Sequence, residues 1–284
     1  MNRKMKETLF FSLFRGCAII VGMALAVLVG YIIINGIGGI SWDFLTMMPS
    51  RAGMQGGILP AIVGSFLLML LVIAFAVPIG VLSAVYLVEY EKSHTVGRIY
   101  RMAVLNLAGV PSVVYGLLGL GLFIYMIGIG SGSLLAAGLT LGVMCLPLII
   151  TASREAIRAV PSTVREASLA LGATKWQTVR HHVLPYSISG IMTGIILALS
   201  RAAGETAPIM LTGVAFLLQR LPSSVNDSFM ALPYHIYFMA TQASNIEAAR
   251  PIAYATALVL IALVIGMNLF AIALRKKYRD KYRW

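Results

Sequence analysis

The sequence predicts an all-α membrane protein whose chain crosses the bilayer six times. Of its 284 residues, 59% are apolar and only 11% are charged, and the mean hydropathy is +0.89. Soluble domains carry about 25% charged residues, so this composition excludes an ordinary water-soluble globule. The apolar residues form six stretches near the length of about 20 residues that a helix needs to cross the hydrocarbon core. The predicted spans cover residues 14–35, 61–87, 102–127, 134–151, 187–212 and 252–274.

The first predicted span follows a basic start, as a signal peptide would. Its apolar stretch is longer than that of a signal peptide, and no clear A-x-A cleavage site follows, so we expect a retained helix. We predict a cytoplasmic tail at 1–13, one six-helix domain at 14–274 and a basic cytoplasmic tail at 275–284. The basic tail is expected to lie against anionic lipid headgroups.

The Lys and Arg residues favour one side of the membrane. Assigning the connecting segments alternately to two sides places 18 of the 22 on one side. The other side receives Arg51, Arg220 and Arg250, while Arg201 lies inside the fifth span. Short cytoplasmic loops hold the excess of Lys and Arg, so both termini are predicted to be cytoplasmic. The net charge of +12 is then a topology signal, and we predict no nucleic-acid partner.

The loop at 153–186, between the fourth and fifth spans, is polar enough to leave the membrane and carries helical signals. Two capping boxes of the form Ser/Thr-x-x-Glu/Gln predict two short helices, one at Thr163 with Glu166 and one at Thr174 with Gln177. Gly172 is expected to end the first helix in a left-handed conformation, and Pro185 to stop the second. Local physics leaves two interpretations open: a structural loop, or a surface that passes motion to a partner.

The same loop resembles the EAA loop of ABC-importer membrane subunits, with the pattern E-A-A-x3-G-x9-I-x-L-P. The matching residues are Glu166, Ala167, Ser168, Gly172, Leu184 and Pro185. Two positions depart from the pattern: Ser168 replaces the second Ala, and His182 replaces an apolar residue. The resemblance implies that an ATPase subunit docks on this loop.

The fifth span contains two charges four residues apart, Arg201 and Glu205, which should share a helix face. An Arg at the centre of a membrane helix costs about 2.5 to 3.5 kcal/mol on insertion scales, so it usually faces a bundle interior or a wet cavity. One interpretation is a salt bridge that joins two helices. The other is a translocation path in which Arg201 offers forked donors to an oxyanion, Glu205 holds it and Thr206 adds a hydroxyl. Gly204 and Pro208 would let the helix bend there.

Two segments extend the resemblance: Arg201-Ala-Ala-Gly-Glu205-Thr-Ala-Pro208, and Gly109-Val-Pro-Ser-Val-Val-Tyr-Gly116. Both are similar to the PstA-type permeases of bacterial phosphate ABC importers. That resemblance implies a type I importer (MetI-like) permease fold in the bacterial inner membrane, with phosphate as the cargo. It implies as partners a PstC-like permease, two ATP-binding cassette subunits and a periplasmic phosphate-binding protein.

No catalytic residues, metal ligands or bound cofactor are predicted for the chain itself. It lacks the P-loop pattern G-x-x-x-x-G-K-[ST], and its four His residues show no metal-ligand spacing. ATP and Mg would therefore be used by the partner ATPase.

Two connecting segments are also predicted. Glu89, Glu91 and Lys92 are expected in a solvated inner loop, and the outer segment 215–250 is expected to form either an interfacial aromatic belt or a partly re-entrant segment.

Two other functions stay open from the residues alone. The first is an ABC permease for another solute, such as sulfate, molybdate or an amino acid. The second is a stand-alone ion-coupled transporter or membrane enzyme, against which the EAA-like loop and the lack of a nucleophile or paired carboxylates in the spans argue.

Overall fold

Long helices form most of the protein, and the computed structural model describes residues 3–91 and 93–281. The helices are α1 (Arg3–Gly36), α2 (Trp42–Thr46), α3 (Leu59–Val85), α4 (His94–Ala108), α5 (Ser112–Leu118), α6 (Leu134–Arg158), α7 (Ser162–Ala170), α8 (Lys175–Thr178), α9 (Leu184–Ala203), α10 (Ala207–Leu211), α11 (Leu232–Thr241) and α12 (Ile246–Lys281). Two short antiparallel strands, β1 (Pro49–Ser50) and β2 (Gln55–Gly56), pair before α3. Three π-helical segments extend α3, α5 and α8: Tyr86–Tyr90, Gly119–Met126 and Val179–Val183.

Five helical stretches of the described chain are long and apolar enough to cross a membrane, and a bent helix pair makes a sixth. The five are Phe10–Gly39, Leu59–Tyr90, Leu134–Arg158, Lys175–Ala203 and Ile246–Asp280. The sixth consists of Thr95–Ala108 and Ser112–Met126, and the chain bends by 106° between these two helices. The prediction of an all-α protein with six spans is confirmed when the bent pair counts as one.

The predicted third span is therefore not a straight helix. It breaks where Pro111, which lacks an N–H and keeps its neighbour out of the helical region, follows Gly109. The Tyr115 hydroxyl donates a hydrogen bond to the Leu107 carbonyl at 2.7 Å and so ties the two sides of the break together. The length and apolarity of 102–127 predicted a span, but they could not predict this sharp bend.

The centre of the bundle is formed by α3, α6 and α9, which share one buried apolar core. Small residues allow these helices to approach closely. A Cβ on Gly138 would meet Leu71 of α3 at 2.9 Å, and one on Gly190 would meet Ala156 of α6 at 2.6 Å. The packing therefore holds α6 between α3 and α9.

The helix α1 lies at the edge of this bundle and exposes its apolar residues along most of its length. Its C-terminal end contacts α12, where the Tyr31 and Tyr254 rings meet edge to face at 5.7 Å between centroids and Gly36 packs on the Tyr254 backbone. Exposure of apolar side chains on this scale fits contact with lipid or a partner helix. The retention of this helix stays a prediction.

The segment between α10 and α12 packs into the bundle at the end where α3 begins. Phe229, Met230 and Leu232 are fully buried, and the Leu232 amide donates to the Ser65 hydroxyl of α3 at 2.8 Å. His235 of α11 is also buried, and burial lowers its pKa to about 4. This outer segment is therefore part of the core of its end of the molecule and not only a belt of surface aromatics.

Candidate coupling hairpin and translocation segment

The helices α7 and α8 with the turn between them form what we call the coupling hairpin, residues 162–178. As predicted, Gly172 takes a left-handed conformation with φ +82°, and Thr174 forms a capping box with Gln177. The first predicted capping box is wrong: α7 begins at Ser162, one residue before Thr163, and Pro161 precedes it without a side-chain cap. Pro161 supplies a fixed φ of −59°, so the helix starts there without a hydroxyl cap.

The helix that begins with α8 does not stop at Pro185, which corrects the sequence prediction. A π-helical turn precedes the proline, and within it the Leu184 amide bonds the Val179 carbonyl five residues back. Because this wider turn accommodates a proline that has no N–H to donate, the helix continues without a break from Lys175 to Ala203. Its 29 residues extend about 44 Å, longer than the hydrocarbon core of about 30 Å.

The coupling hairpin exposes an open groove of about 400 Å³. It is lined by Ser168, Leu171, Gly172, Ala173, Gln177, His181 and His182. Leu171 stands at its edge with 90% of its surface exposed, and Leu169 and Trp176 are about half exposed nearby in sequence. Exposed apolar groups around a concave surface are typical of a protein-docking site. The motif predicted the hairpin, but it did not predict that Leu171 and Trp176 would be its exposed apolar residues.

The predicted EAA-type residues take different positions on this hairpin. Glu166 and Ala167 are exposed on α7, whereas Leu184 and Pro185 are half-buried where the long helix enters the bundle. Ser168 is buried, and its hydroxyl lies 2.9 Å from that of Thr178. The serine that departs from the family pattern thus joins α7 to α8 by a hydrogen bond that Ala could not make.

Glu89 is not in a solvated loop, so the prediction is wrong for this residue, whereas Lys92 lies outside the described residues. The π-helical turn at the end of α3 directs its side chain inward, where only 7% of it is exposed and Arg165 of α7 bonds it at 2.9 Å. Arg165 also donates to the carbonyls of Ile157 and Val160 at 2.9 and 2.6 Å. A signal was present in the sequence: Glu89 interrupts an apolar run, and Arg165 directly precedes the EAA-like residues.

The second candidate region is the translocation segment, residues 200–208, at the other end of the long helix. The helix α9 ends at Ala203, and α10 begins at Ala207 with Pro208 in its first turn, so the predicted bend at Gly204 is confirmed. The predicted fifth span, 187–212, is consequently two helices.

Arg201 and Glu205 are brought together across this break, with 3.5 Å between Nε and Oε1. The Arg201 side chain is 52% exposed, whereas Glu205 is 18% exposed and lines a narrow cavity with Ser65 and Met69 of α3. Thr206 follows, half-buried. Beside the pair, the Ser200 hydroxyl donates to Asn268 of α12 at 3.0 Å, so the contact between α9 and α12 does not depend on the ion pair.

The Arg201 guanidinium therefore lies beside a helix break, with the Glu205 carboxylate on one side of it. Guanidinium groups bind oxyanions through paired N–H donors, and a half-exposed one retains donors for a ligand. Among residues 3–91 and 93–281, no group of three or more His, Cys, Asp or Glu side chains is placed to hold a metal ion.

A bundle of apolar spans with an exposed helical hairpin at one end and a charged break at the other is the architecture of a polytopic membrane protein. Solved structures support the fold. The MetNI methionine ABC transporter matches with a TM-score of 0.57 at 20% identity, over 78% of this chain and 94% of that one. A bacterial alginate ABC transporter matches with a TM-score of 0.68 at 15% identity, over 94% and 93% of the two chains.

Sequence comparison identifies the family. The profile described as "Binding-protein-dependent transport system inner membrane component" matches residues 76–280. The chain belongs to this family of ABC-transporter permease subunits and is therefore a multi-pass inner-membrane protein.

Curated relatives cover most of the chain. The "Probable ABC transporter permease protein YqgI" of Bacillus subtilis is 34% identical over 95% of both chains. The "Phosphate transport system permease protein PstA" of Mycobacterium leprae is 39% identical over 78% of this chain and 71% of its own. The protein of that name from Haemophilus influenzae is 32% identical over 84% and 83%.

Proposed function

We propose that this chain is the permease subunit of an ATP-driven phosphate importer and forms, with a second permease, the path of inorganic phosphate across the inner membrane. The observation that carries the proposal is the position of Arg201. It lies half exposed at a helix break, at the end of an unbroken helix that starts in the coupling hairpin. Relatives named as phosphate permeases at 32 to 39% identity support phosphate as the cargo.

The chemistry of the translocation segment suits an anion that must bind and leave. The Arg201 fork can donate two N–H groups to phosphate oxygens. Glu205, 3.5 Å away, competes for the same guanidinium and repels a phosphate anion, which keeps binding weak. A transport path needs such weak binding because the ion must also be released.

The partners follow from the family and the two ends of the molecule. Two ATP-binding cassette subunits supply the energy, and one of them docks on the coupling hairpin of this chain through its groove and Leu171. A periplasmic phosphate-binding protein delivers the cargo to the opposite end, and a PstC-like permease completes the path. Both termini are placed in the cytoplasm because the basic residues favour that side. In this proposal the chain is not itself an enzyme, since the partner subunits bind ATP and Mg.

The test is solute uptake by the reconstituted complex. Proteoliposomes that contain this chain with its second permease, ATPase and binding protein should take up labelled phosphate only when ATP is enclosed. An excess of unlabelled phosphate should suppress the signal, whereas sulfate, molybdate or amino acids should not. ATP-dependent uptake of one of those solutes instead of phosphate would overturn the cargo assignment, and uptake without ATP would overturn the class.

A further inference from the structure

The ion pair between Glu89 and Arg165 joins three parts of the molecule. Arg165 projects from α7 of the coupling hairpin, and Glu89 lies in the π-helical turn that ends α3. The same guanidinium reaches the C-terminal end of α6, where it donates to the carbonyl of Ile157 in the last turn and to that of Val160, two residues beyond the helix. One side chain thus connects the hairpin to the ends of two central helices.

These contacts engage all three nitrogens of the Arg165 guanidinium and place the pair away from water. Nε and Nη2 both lie 2.9 Å from Glu89 Oε1, and only 20% of the Arg165 side chain is exposed. The positive charge also lies at the C-terminal end of α6, where the helix dipole stabilises a cation. Exposed ion pairs exchange readily with water, but a pair buried to this degree holds one geometry.

A second connection leaves α7 in a different direction. The hydrogen bond between Ser168 and Thr178 ties α7 to α8, and α8 continues into α9. Therefore α7 holds α9 through one contact and α3 through the other. Without Glu89 and Arg165, α9 would remain attached to the hairpin while α3 would lose its ion pair with α7. The contact of the Lys175 ammonium with the Tyr90 ring, 5.2 Å from its centroid, would then be left between α8 and the π-helical turn.

Both helices lead to the translocation segment. The helix α9 carries Arg201 near its end, and α3 carries Ser65 and Met69, which line the cavity around Glu205. Ser65 lies 24 residues before Glu89, about 36 Å along the helix. A shift of α3 relative to α9 at the coupling hairpin would therefore change the side chains that surround the Arg201–Glu205 pair at the other end.

We propose that Glu89 and Arg165 are positioning residues that make α3 and α9 move as one body when the ATPase moves the coupling hairpin. This inference rests on the proposed function in one respect, that an ATPase docks on the hairpin. When the pair is broken, the hairpin still moves α9, but α3 lags behind. ATP is then hydrolysed without the concerted change at the translocation segment, and import loses its coupling to hydrolysis.

The first test measures coupling in Glu89→Gln. Gln keeps the shape and an acceptor for Arg165 but removes the charge, so the chain should fold and co-purify with the ATPase. The matched control is Glu155→Gln, which removes the charge of a carboxylate that is 58% exposed and paired with Arg154 at the same end of α6. We expect the phosphate imported per ATP hydrolysed to fall about tenfold in Glu89→Gln and to be unchanged in the control. Equal ratios in the two variants would overturn the proposal.

The second test does not depend on the cargo. Spin labels at Leu82 of α3 and Leu197 of α9, both exposed, report the distance between the two helices in the assembled complex after the exposed Cys17 is replaced by Ser. ATP should change this distance more in Glu89→Gln than in Glu155→Gln, and equal changes contradict the positioning role. If the unaltered complex imports no phosphate, the proposed function is wrong, and this distance alone decides the role of the pair.

Discussion

Two regions of the molecule each contain an Arg–Glu pair, and the two pairs differ in almost every physical respect. At the coupling hairpin, Arg165 is 20% exposed and bonded to Glu89 and to two backbone carbonyls at the C-terminal end of α6. At the translocation segment, Arg201 is 52% exposed and lies 3.5 Å from Glu205. The first pair is saturated and fixes a joint between helices. The second retains donors, so the same two residue types can hold a structure in one place and receive an anion in another.

The largest contrast in stability is expected between Arg165→Ala and Arg201→Ala. Removal of Arg165 leaves the Glu89 carboxylate buried and unpaired, which costs about 3 to 5 kcal/mol. Removal of Arg201 should cost less, because its side chain is half exposed and its contact with Glu205 is long at 3.5 Å. Thermal unfolding of the purified complex in detergent measures both. Similar unfolding temperatures for the two variants would remove the distinction between the pairs.

Docking of the ATPase should depend strongly on the turn of the coupling hairpin. Gly172→Asp places a charged residue at φ +82° in the middle of the exposed surface, so we expect at least a tenfold loss of the ATPase on co-purification. Gly128→Asp is the matched control, because Gly128 also has φ +82° and open space around it but lies before α6, at the opposite end. Equal losses in both variants would mean that general misfolding, and not docking, is measured.

A smaller effect is expected from the apolar edge of the groove. Burial of a Leu side chain at an interface contributes about 1.5 to 3 kcal/mol, so Leu171→Ser should weaken ATPase binding about tenfold or more while leaving the unfolding temperature unchanged. Leu221→Ser, in the partly exposed segment at the opposite end, provides the control. Titration of the detergent-solubilised permease pair with the ATPase gives the affinities. Unchanged binding in Leu171→Ser would show that the ATPase does not dock at the groove.

The smallest change concerns the serine in the EAA-like pattern. Ser168→Ala removes one buried hydrogen bond, worth about 1 kcal/mol, and Thr178 keeps its bond to the Thr174 carbonyl at 3.1 Å. We expect a slight fall in unfolding temperature, with import reduced less than in Glu89→Gln. A double-mutant cycle with Thr178→Val should give a coupling energy of the same size. A coupling energy of zero would show that the two hydroxyls do not interact.

The spans and the helix break at Gly204 could be predicted because they depend on local composition. The apolar stretches, the Gly204 bend and the left-handed Gly172 each follow from a few neighbouring residues. The bend at Pro111 and the continuous helix through Pro185 could not be predicted from the sequence alone, since a proline can either end a helix or follow a wider turn that accommodates it. Their outcomes depend on tertiary packing and on a π-helical turn that supplies an alternative hydrogen bond.

The attachment of the coupling hairpin to the bundle depends on a contact between residues that are far apart in the sequence. Glu89 and Arg165 are 76 residues apart, and although Glu89 interrupts an apolar run, the local sequence does not identify the residue that pairs with it. Only the packing of α3 against α6 brings them together. The hairpin itself was predictable from its motif, whereas its attachment to the bundle was not.

Phosphate uptake by the complex containing Arg201→Gln tests the central claim most directly. Gln has a similar length but neither the charge nor the guanidinium fork, and Arg220→Gln, in the exposed outer segment, is the matched control. We predict that Arg201→Gln abolishes uptake while the complex assembles and hydrolyses ATP, and that Arg220→Gln transports normally. Uptake at the normal rate in Arg201→Gln would show that the translocation segment does not carry phosphate.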